Sequence, residues 1–440
     1  MMYISSRKES RPRAVEGVCA GLRSNVYCAP SEVYARLMPD SQDVSTPIYL
    51  DYAASTAVRP EVLEAMLPFF AGDFANPSAH HARGRAAHEA LEDARNDLAE
   101  VLGAIPEEII LTSGGTESIN AAIKGVALAQ MEAGVGRHVI TTEIEHHAVL
   151  HSAQYLERFG FEVELLPVDE FGRVTPEQVA AAVREDTVLV SIGYANNEVG
   201  TVQPLAAISA AIRERAGQLG RRIPLHTDAV QVANTHALNV DALGVDLLSL
   251  SGHKFGGPKG TGLLYLRRDV PFLEQVSGGG QERQRRSGTE NVPGIVGISR
   301  ALQLAQSERD AFVQRTSALR DRLLHGIMAA CPTARLNGHP TERLPHNLHI
   351  CFPEVEGESV VDALDAVGIE CSAGAACTSA TWEPSHVLLA MGVPLDLAIG
   401  SLRMTLWPSP TVPQIDYVAT QIPIALERLR AATAAATPRS

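Results

Sequence analysis

A lysine lies where a strand-like segment gives way to a glycine-rich turn, in residues 251–260, SGHKFGGPKG. The preceding residues 245–250 are mostly apolar and of strand length. If Lys254 is buried at this junction, desolvation disfavours its ammonium form, and the neutral amine can attack a carbonyl to form a Schiff base. A lone lysine in a glycine-rich loop is more often solvated, so this interpretation depends on the rest of the sequence.

A carboxylate that would complement such a lysine follows an earlier strand-like run. Asp228 comes directly after residues 223–227, IPLHT. Pyridoxal phosphate (PLP) bonds to a lysine and needs a carboxylate against its pyridine nitrogen, because the protonated nitrogen makes the ring an electron sink. An aspartate at the end of a strand is otherwise a cap. Lys254 and Asp228 together therefore indicate a PLP site.

A phosphate site is indicated by residues 109–118, IILTSGGTES. The segment reads as a strand, a glycine turn and the start of a helix. Backbone amides at the turn, the helix dipole and the Thr116 hydroxyl suit an anion. A Gly-Gly turn capped by threonine is also a routine connection between a strand and a helix, so this segment alone leaves both interpretations open.

Two further polar residues follow strand-like runs. His146, within TEIEHH at 142–147, is of a type that stacks on a flat cofactor ring or moves protons near neutral pH. Asn197 also follows a strand, where α/β sheets place their ligands. A single loop histidine is more often structural, so neither residue carries the argument by itself.

A candidate nucleophile, Cys377, lies among small residues at 371–380, CSAGAACTSA. Small residues suit a mobile loop, which a thiol needs if it attacks a bound substrate and then carries a product outward. The alternative is a small-residue packing contact with an incidental cysteine. The segment alone does not decide between them.

The elements that must position these residues alternate along the chain. Apolar runs of strand length occur at 109–111, 139–140, 163–166, 188–190 and 223–225, with helical patterns between them. This alternation predicts an α/β fold with βαβ units around a mostly parallel sheet. A long helical pattern after residue 300, a strand-like run at 347–352 and a closing helix from about 414 predict a smaller α+β domain.

Composition narrows the classes of partner. The chain has 440 residues and a formal net charge of −14, which argues against direct nucleic-acid binding and against an anionic membrane surface. No apolar run is long enough to span a membrane, and the N-terminus lacks a secretory pattern, so we expect a cytoplasmic protein. The 6 cysteines include no Cys-x-x-Cys pair, and we expect neither a disulfide scaffold nor a bound metal.

Taken together, these segments resemble the cysteine desulfurases of the NifS/IscS type, within the fold-type I, class V aminotransferase-like PLP enzymes. The resemblance runs from about Tyr49 to about Arg430. The motifs that carry it are LDYAA (50–54), NPS (76–78), SGGTES (113–118), EH (145–146), NNE (196–198), DAVQ (228–231), SGHK (251–254), RSGT (286–289) and ACTS (376–379). The sequence departs from the pattern at His147, where lysine is frequent, and at Trp407-Pro408.

The resemblance implies a fold and a set of site residues. It implies a large PLP-binding domain at 59–308, a small domain at 47–58 and 309–440 that carries the cysteine loop, and an extension at 1–46 outside the main fold. The residues it assigns to the cofactor are Lys254 for the covalent bond, Gly115, Thr116, Ser251 and His253 for the phosphate, Asp228 for the pyridine nitrogen, Gln231 for the ring hydroxyl, and His146 and Asn197 beside the ring.

The resemblance also implies a substrate site and a second subunit. Asn197 and Arg403 would hold the substrate carboxylate, since arginine can grip a carboxylate with two hydrogen bonds. His146 would serve in proton transfer. Thr289 would reach the phosphate bound by the neighbouring subunit, which implies a homodimer.

The implied reaction converts L-cysteine into L-alanine and leaves a persulfide on Cys377. An unperturbed thiol has a pKa of ~8.5, so the attacking thiol needs a nearby base such as His146 or a local cation. The sulfur would pass to an acceptor protein for iron–sulfur assembly, tRNA thiolation or DNA phosphorothioation, and Cys377 is a potential transient ligand of an acceptor's iron–sulfur cluster. The sequence does not identify the acceptor.

Three alternatives are weighed against this reaction. A transaminase of the same class has no need of Cys377, and a selenocysteine-specific lyase differs in its substrate. A catalytically idle relative acting as a binding scaffold would be expected to lack Lys254, Asp228 or Cys377, and all three are present.

Overall fold

The structure is a computed structural model that describes residues 47–374 and 384–436. The strands in these ranges are β1 (Ile48–Tyr49), β2 (Ile109–Thr112), β3 (His138–Thr142), β4 (Glu162–Leu166), β5 (Thr187–Ser191), β6 (Leu225–Asp228), β7 (Leu247–Ser251), β8 (Gly262–Leu266), β9 (Arg335–Leu336), β10 (Asn347–Cys351), β11 (Ile369–Glu370) and β12 (Ser401–Thr405). In the same ranges, no helix is both long and apolar enough to cross a membrane.

The α-helices flank these strands along the chain. They are α1 (Pro60–Met66), α2 (Pro68–Ala71), α3 (Ala82–Leu102), α4 (Gly115–Glu132), α5 (His147–Leu156), α6 (Pro176–Ala182), α7 (Leu205–Gln218), α8 (Val240–Leu243), α9 (Val292–Ser307), α10 (Arg309–Ala330), α11 (Gly357–Asp365), α12 (His386–Ala390), α13 (Leu395–Ala398) and α14 (Val412–Ala436).

A seven-stranded sheet in the order β2-β8-β7-β6-β5-β3-β4 forms the centre of the fold. The strands β4, β3, β5, β6 and β7 run parallel, while β8 is antiparallel to both β7 and β2. The mostly parallel sheet expected from the sequence is confirmed. The strand expected at 223–225 begins later, at Leu225, because Pro224 has no N–H to donate to a sheet ladder.

Successive residues of the central strands contribute to two apolar cores, one on each face. Ile110 lies in one core and Leu111 in the other. On the first face Ile119 of α4 packs into the core, and on the second Leu98 of α3 and Ile298 of α9 do so. Burial on both faces explains why these strands read as continuous apolar runs.

A separate three-stranded antiparallel sheet has the order β12-β10-β9. Its core combines Ile350 of β10 and Leu402 of β12 with Leu323 of α10 and Ile422 of α14. Strand β1 pairs in parallel with β11, so the segment beginning near residue 48 packs with this later part of the chain. The smaller α+β arrangement expected after residue 300 is present.

An ion pair lies along the outer edge of the central sheet, at β2. The Leu111 N–H donates to the Glu282 carboxylate at 2.9 Å, and Arg95 donates to the Ile109 carbonyl at 2.9 Å. Arg95 and Glu282 are joined by two hydrogen bonds of 2.7 and 2.8 Å, and both side chains are buried. The pair therefore bonds outward-facing backbone groups of β2 as a further strand would.

Holding Glu282 at this edge requires an unusual backbone. Glu282, Arg283 and Gln284 have φ angles of 49°, 58° and 64°, in the left-handed region that side chains disfavour. The turn leads directly to Arg286, which bonds Glu117 at 2.8 Å near the start of α4. The turn that holds the β2 edge therefore also connects the chain to α4 through Arg286.

Candidate active site

A cleft of about 680 Å³ lies at the carboxyl-terminal ends of the parallel strands. Parallel α/β sheets place their ligands at this edge, because each strand there ends in a loop. The sequence-predicted residues that line the cleft are Gly115, Thr116, His146, Asn197, Asp228, Gln231, Ser251, His253, Lys254 and Arg403. Of the predicted residues, Thr289 is exposed and does not line the cleft, and Cys377 lies outside the described residues.

Lys254 reaches the cleft from the short 3-10 turn that follows β7. Its Nζ donates to the carbonyls of Ala53 and Ala54, at 2.6 and 2.9 Å. The Ala53 carbonyl also accepts from the Gln231 side chain at 3.1 Å. The amine is thus directed into the cleft by the segment that follows β1.

Asp228 ends β6 and presents a half-buried carboxylate to the same cleft. Burial raises the pKa of this carboxyl to about 6, against the opposing effects of a hydrogen bond from the Val230 N–H and the charge of Lys254. At neutral pH the group is still mainly ionised, so it can stabilise a protonated ring nitrogen.

An anion cradle begins where β2 leads into α4. Gly114 has a φ of 157° and Gly115 opens the helix, with Thr116 exposed next to it. A Cβ at Gly115 would lie 2.9 Å from Val230 and 3.3 Å from the Ser251 side chain, so only glycine fits without displacement. The backbone amides at the N-terminus of this 18-residue helix line the cleft and suit a phosphate.

His253 borders this cradle without adding a positive charge to it. Burial, and then the charges of Lys254 and Lys259, lower the pKa of His253 to about 4. Its Nδ1 lies 3.3 Å from the Ser55 hydroxyl. At neutral pH His253 therefore offers a neutral imidazole rather than a cation.

His146 occupies the N-cap of α5, and its Nδ1 accepts a hydrogen bond from the Ala148 N–H at 3.0 Å. Burial, and then the charge of Lys254, lower the pKa of His146 to about 4, so the imidazole is neutral at pH 7. Because Nδ1 accepts, the neutral ring carries its proton on Nε2.

Arg403 reaches the cleft from β12 with a guanidinium that is almost fully buried. It donates to the Asp51 carboxylate at 2.8 Å and to the Asn197 carbonyl at 3.3 Å. Among the residues that the structure describes, its buried Nε has no hydrogen-bond partner. Asp51 received no role from the sequence, although its position within the LDYAA motif was a usable signal.

The Lys254 amine, the Asp228 carboxylate and the cradle at the start of α4 fit the three polar ends of PLP. Lys254 would bind its aldehyde carbon, Asp228 its pyridine nitrogen and Gly115 with its neighbours its phosphate. These three groups converge on one cleft from three separate strands. The residues present therefore fit this cofactor.

The family Aminotransferase class-V matches residues 48–418, and the chain belongs to this family. PLP is the cofactor of its enzymes. Among its relatives, a cysteine desulfurase IscS from Methanosarcina thermophila is 47% identical over 394 residues, which is 89% of this chain and 95% of the relative.

Solved structures agree with this assignment. A NifS-like protein superposes with a TM-score of 0.81 at 39% identity, covering 87% of this chain and 100% of the other. A protein described as SspA in complex with cysteine has a TM-score of 0.69 at 36% identity, covering 82% and 99%. The fold-type I class expected from the sequence is confirmed.

Proposed function

We propose that this chain is a PLP-dependent cysteine desulfurase, which converts L-cysteine into L-alanine and holds the sulfur as a persulfide on Cys377. The observation that carries the proposal is that Lys254, Asp228, the cradle at Gly115 and the guanidinium of Arg403 line one cleft. The cysteine desulfurase relatives, similar over nearly the whole length of each chain, support the same activity.

Some residues of the cleft bind the cofactor and others bind the substrate. When bound, PLP withdraws electrons from the substrate's α-carbon. Lys254 holds the cofactor, and the Asp228 carboxylate keeps a negative charge against the ring nitrogen. Arg403 binds the substrate carboxylate with the help of Asn197, and His146 carries a proton on Nε2 at the wall of the cleft.

Sulfur transfer needs a thiolate. The Cys377 sulfur attacks the substrate sulfur, a sulfur–sulfur bond forms, and the substrate's carbon–sulfur bond breaks. The electron pair of the broken bond stays on carbon, which takes up a proton to give alanine. The products are balanced without an additional oxidant or reductant.

The three cysteines within the described residues are poor candidates for the nucleophile, which supports its assignment to Cys377. Burial raises the pKa of Cys371 to about 12 and that of Cys351 to about 11, and it also raises the pKa of Cys331. These thiols remain protonated at neutral pH, and none of the three lines the cleft.

The proposal also covers the oligomeric state, the location, the sulfur acceptor and the domains of the chain. We include a homodimer in which Thr289 completes the phosphate site of the second copy, because Thr289 is exposed and lies outside the cleft of its own chain. We also include a cytoplasmic location, transfer of sulfur to an acceptor protein, and division of the chain into a large domain at 59–308 and a small domain at 47–58 and 309–440.

The test compares three variants of the PLP-loaded enzyme supplied with L-cysteine. Lys254→Ala should lose the covalently bound cofactor and its absorbance. Cys377→Ser should keep the cofactor colour and respond spectrally to L-cysteine, yet release almost no alanine and carry no persulfide. Cys371→Ser should behave as the unmodified enzyme, because the Cys371 side chain does not line the cleft.

Two results would contradict the proposal in different ways. An inactive Cys371→Ser variant, or normal turnover by Cys377→Ser, would show that the nucleophile is assigned wrongly. Amino-group transfer without persulfide formation in the unmodified enzyme would show a transaminase.

A further inference from the structure

The guanidinium assigned above to the substrate carboxylate is already paired with a carboxylate of the chain itself. Asp51 Oδ1 accepts from Arg403 Nη2 at 2.8 Å, and the two side chains are 20% and 4% exposed. Within residues 47–374 and 384–436, Arg403 Nη1 donates to the Asn197 carbonyl, and Arg403 Nε has no hydrogen-bond partner. Arg403 thus has one carboxylate in place and donors remaining for a second.

Asp51 is held firmly by the backbone around it. The Asp51 carbonyl accepts from the Tyr49 hydroxyl and from the Ala54 N–H, each at 3.0 Å. The Ala53 N–H is bonded to the Thr405 hydroxyl at 2.8 Å, on the same strand as Arg403. The backbone that carries the Asp51 carboxylate is therefore fixed next to the strand of Arg403.

The same turn also contacts the cofactor lysine. Lys254 Nζ donates to the carbonyls of Ala53 and Ala54, two and three positions after Asp51. One short segment, residues 51–54, therefore touches both the amine that holds the cofactor and the arginine that faces the substrate.

We propose that Asp51 is a positioning residue, which holds Arg403 in place and competes with the carboxylate of the amino acid for its charge. The inference rests on the proposed role of Arg403. A substrate carboxylate bound to the remaining donors lies close to Asp51, and two like charges around one guanidinium repel each other. Asp51 thereby weakens binding of both L-cysteine and L-alanine and speeds release of the product.

The test replaces the charge while keeping the shape. In the PLP-loaded enzyme, Asp51→Asn retains an oxygen that can accept from Arg403 but removes the negative charge. L-Alanine, titrated by its effect on the cofactor absorbance, should bind about tenfold more tightly, and KM for L-cysteine should fall by a similar factor. The value of kcat should not rise, because product release becomes slower.

Two control variants separate this role from general effects. Asp51→Glu keeps the charge and should retain the weak binding of the unmodified enzyme. Asp310→Asn removes one negative charge at a side chain that is 92% exposed, and it should leave both constants unchanged. Thermal melting with and without L-alanine checks folding, and Asp51→Asn should gain more stability from L-alanine than the unmodified enzyme does.

The outcomes are distinguishable. Weaker or unchanged L-alanine binding by Asp51→Asn overturns the competition, and weaker binding in both Asp51 variants shows that the residue only supports Arg403 sterically. If instead Arg403→Ala binds L-alanine as well as the unmodified enzyme does, the assignment of Arg403 itself fails, whatever Asp51 does.

Discussion

The two ring nitrogens of His146 have different roles, one at a helix start and one at the cleft. Nδ1 caps α5 by accepting the Ala148 N–H, and Nε2 carries the proton of the neutral ring. The low pKa of about 4, caused by burial and then by Lys254, keeps the ring uncharged across the neutral range. To take up a proton, the imidazole has to protonate Nδ1 and release the helix cap.

Substitution of His146 can separate these two functions. Asn also caps helices well, so His146→Asn should keep the stability of the enzyme while kcat falls by roughly 10²–10⁴-fold, the scale of a lost proton-transfer group. His146→Ala should lose the same activity and in addition about 1 kcal/mol of unfolding free energy. The measurements are alanine release at saturating L-cysteine and denaturant unfolding.

Equal stability of the two His146 variants would show that the cap contributes nothing. Near-normal turnover by His146→Asn would remove His146 from the proton-transfer steps.

A buried hydrogen bond joins the loop after β5 to the start of α12. The Ser385 hydroxyl donates to Glu198 at 2.5 Å and accepts from the Leu388 N–H at 3.2 Å, capping the helix. Burial raises the pKa of Glu198 to about 7, although the Ser385 hydrogen bond and the charge of Arg403 oppose the shift. This acid is therefore half protonated near neutral pH.

The shift predicts how stability depends on pH. The folded state of Glu198 binds its proton more tightly than the unfolded chain, whose carboxyl has a pKa near 4.5. The resulting stabilisation is complete below about pH 4.5 and is lost as pH rises through about 7. Relative to Glu198→Gln, which stays neutral, the unmodified enzyme should lose up to about 3 kcal/mol between pH 5 and pH 8.

Denaturant unfolding at a series of pH values measures this difference. Glu100→Gln, at an exposed position on α3, controls for the general loss of one negative charge. A difference between the unmodified enzyme and Glu198→Gln that is constant over this pH range would contradict the titration.

The sequence predicts an element well when residues close together in the chain determine it, and poorly when residues far apart in the chain must meet. Strands such as β2 and β8 are continuous apolar runs, and their positions follow from residues 109–111 and 263–266 alone. Asp228 and Gly115 were predictable from local sequence because one ends a strand and the other opens a helix. Arg403 lies in the middle of β12 and was expected only from the family resemblance. The Asp51–Arg403 pair was not, since its members lie 352 positions apart and meet only through the pairing of distant segments.

Across the whole molecule, the residues that line the cleft span Ala53 to Arg403. Residues 1–46 lack periodic apolar positions in the sequence and lie outside the described residues. We expect a protein that begins at residue 47 to bind PLP and turn over L-cysteine nearly as the full chain does. Cofactor absorbance and alanine release measure this, and a truncated protein without its yellow colour would contradict it.

The proposed homodimer can be tested through the binding of PLP. If Thr289 completes the phosphate site of the other copy, Thr289→Ala should weaken PLP binding by about 1 to 3 kcal/mol, the scale of a lost hydrogen bond to a charged group. Thr420→Ala, at an exposed position on α14, serves as the control. Full PLP retention by a protein that sediments as a monomer would contradict the shared site.

The ion pair at β2 has a consequence for the behaviour of the protein in concentrated solution. An open strand edge is a template on which another chain can add a strand, and such addition leads to aggregation. Arg95 and Glu282 occupy the outward hydrogen-bonding groups of Ile109 and Leu111, so that template is closed. The left-handed turn at Glu282 thus helps to keep the folded enzyme from self-associating through the β2 edge of its central sheet.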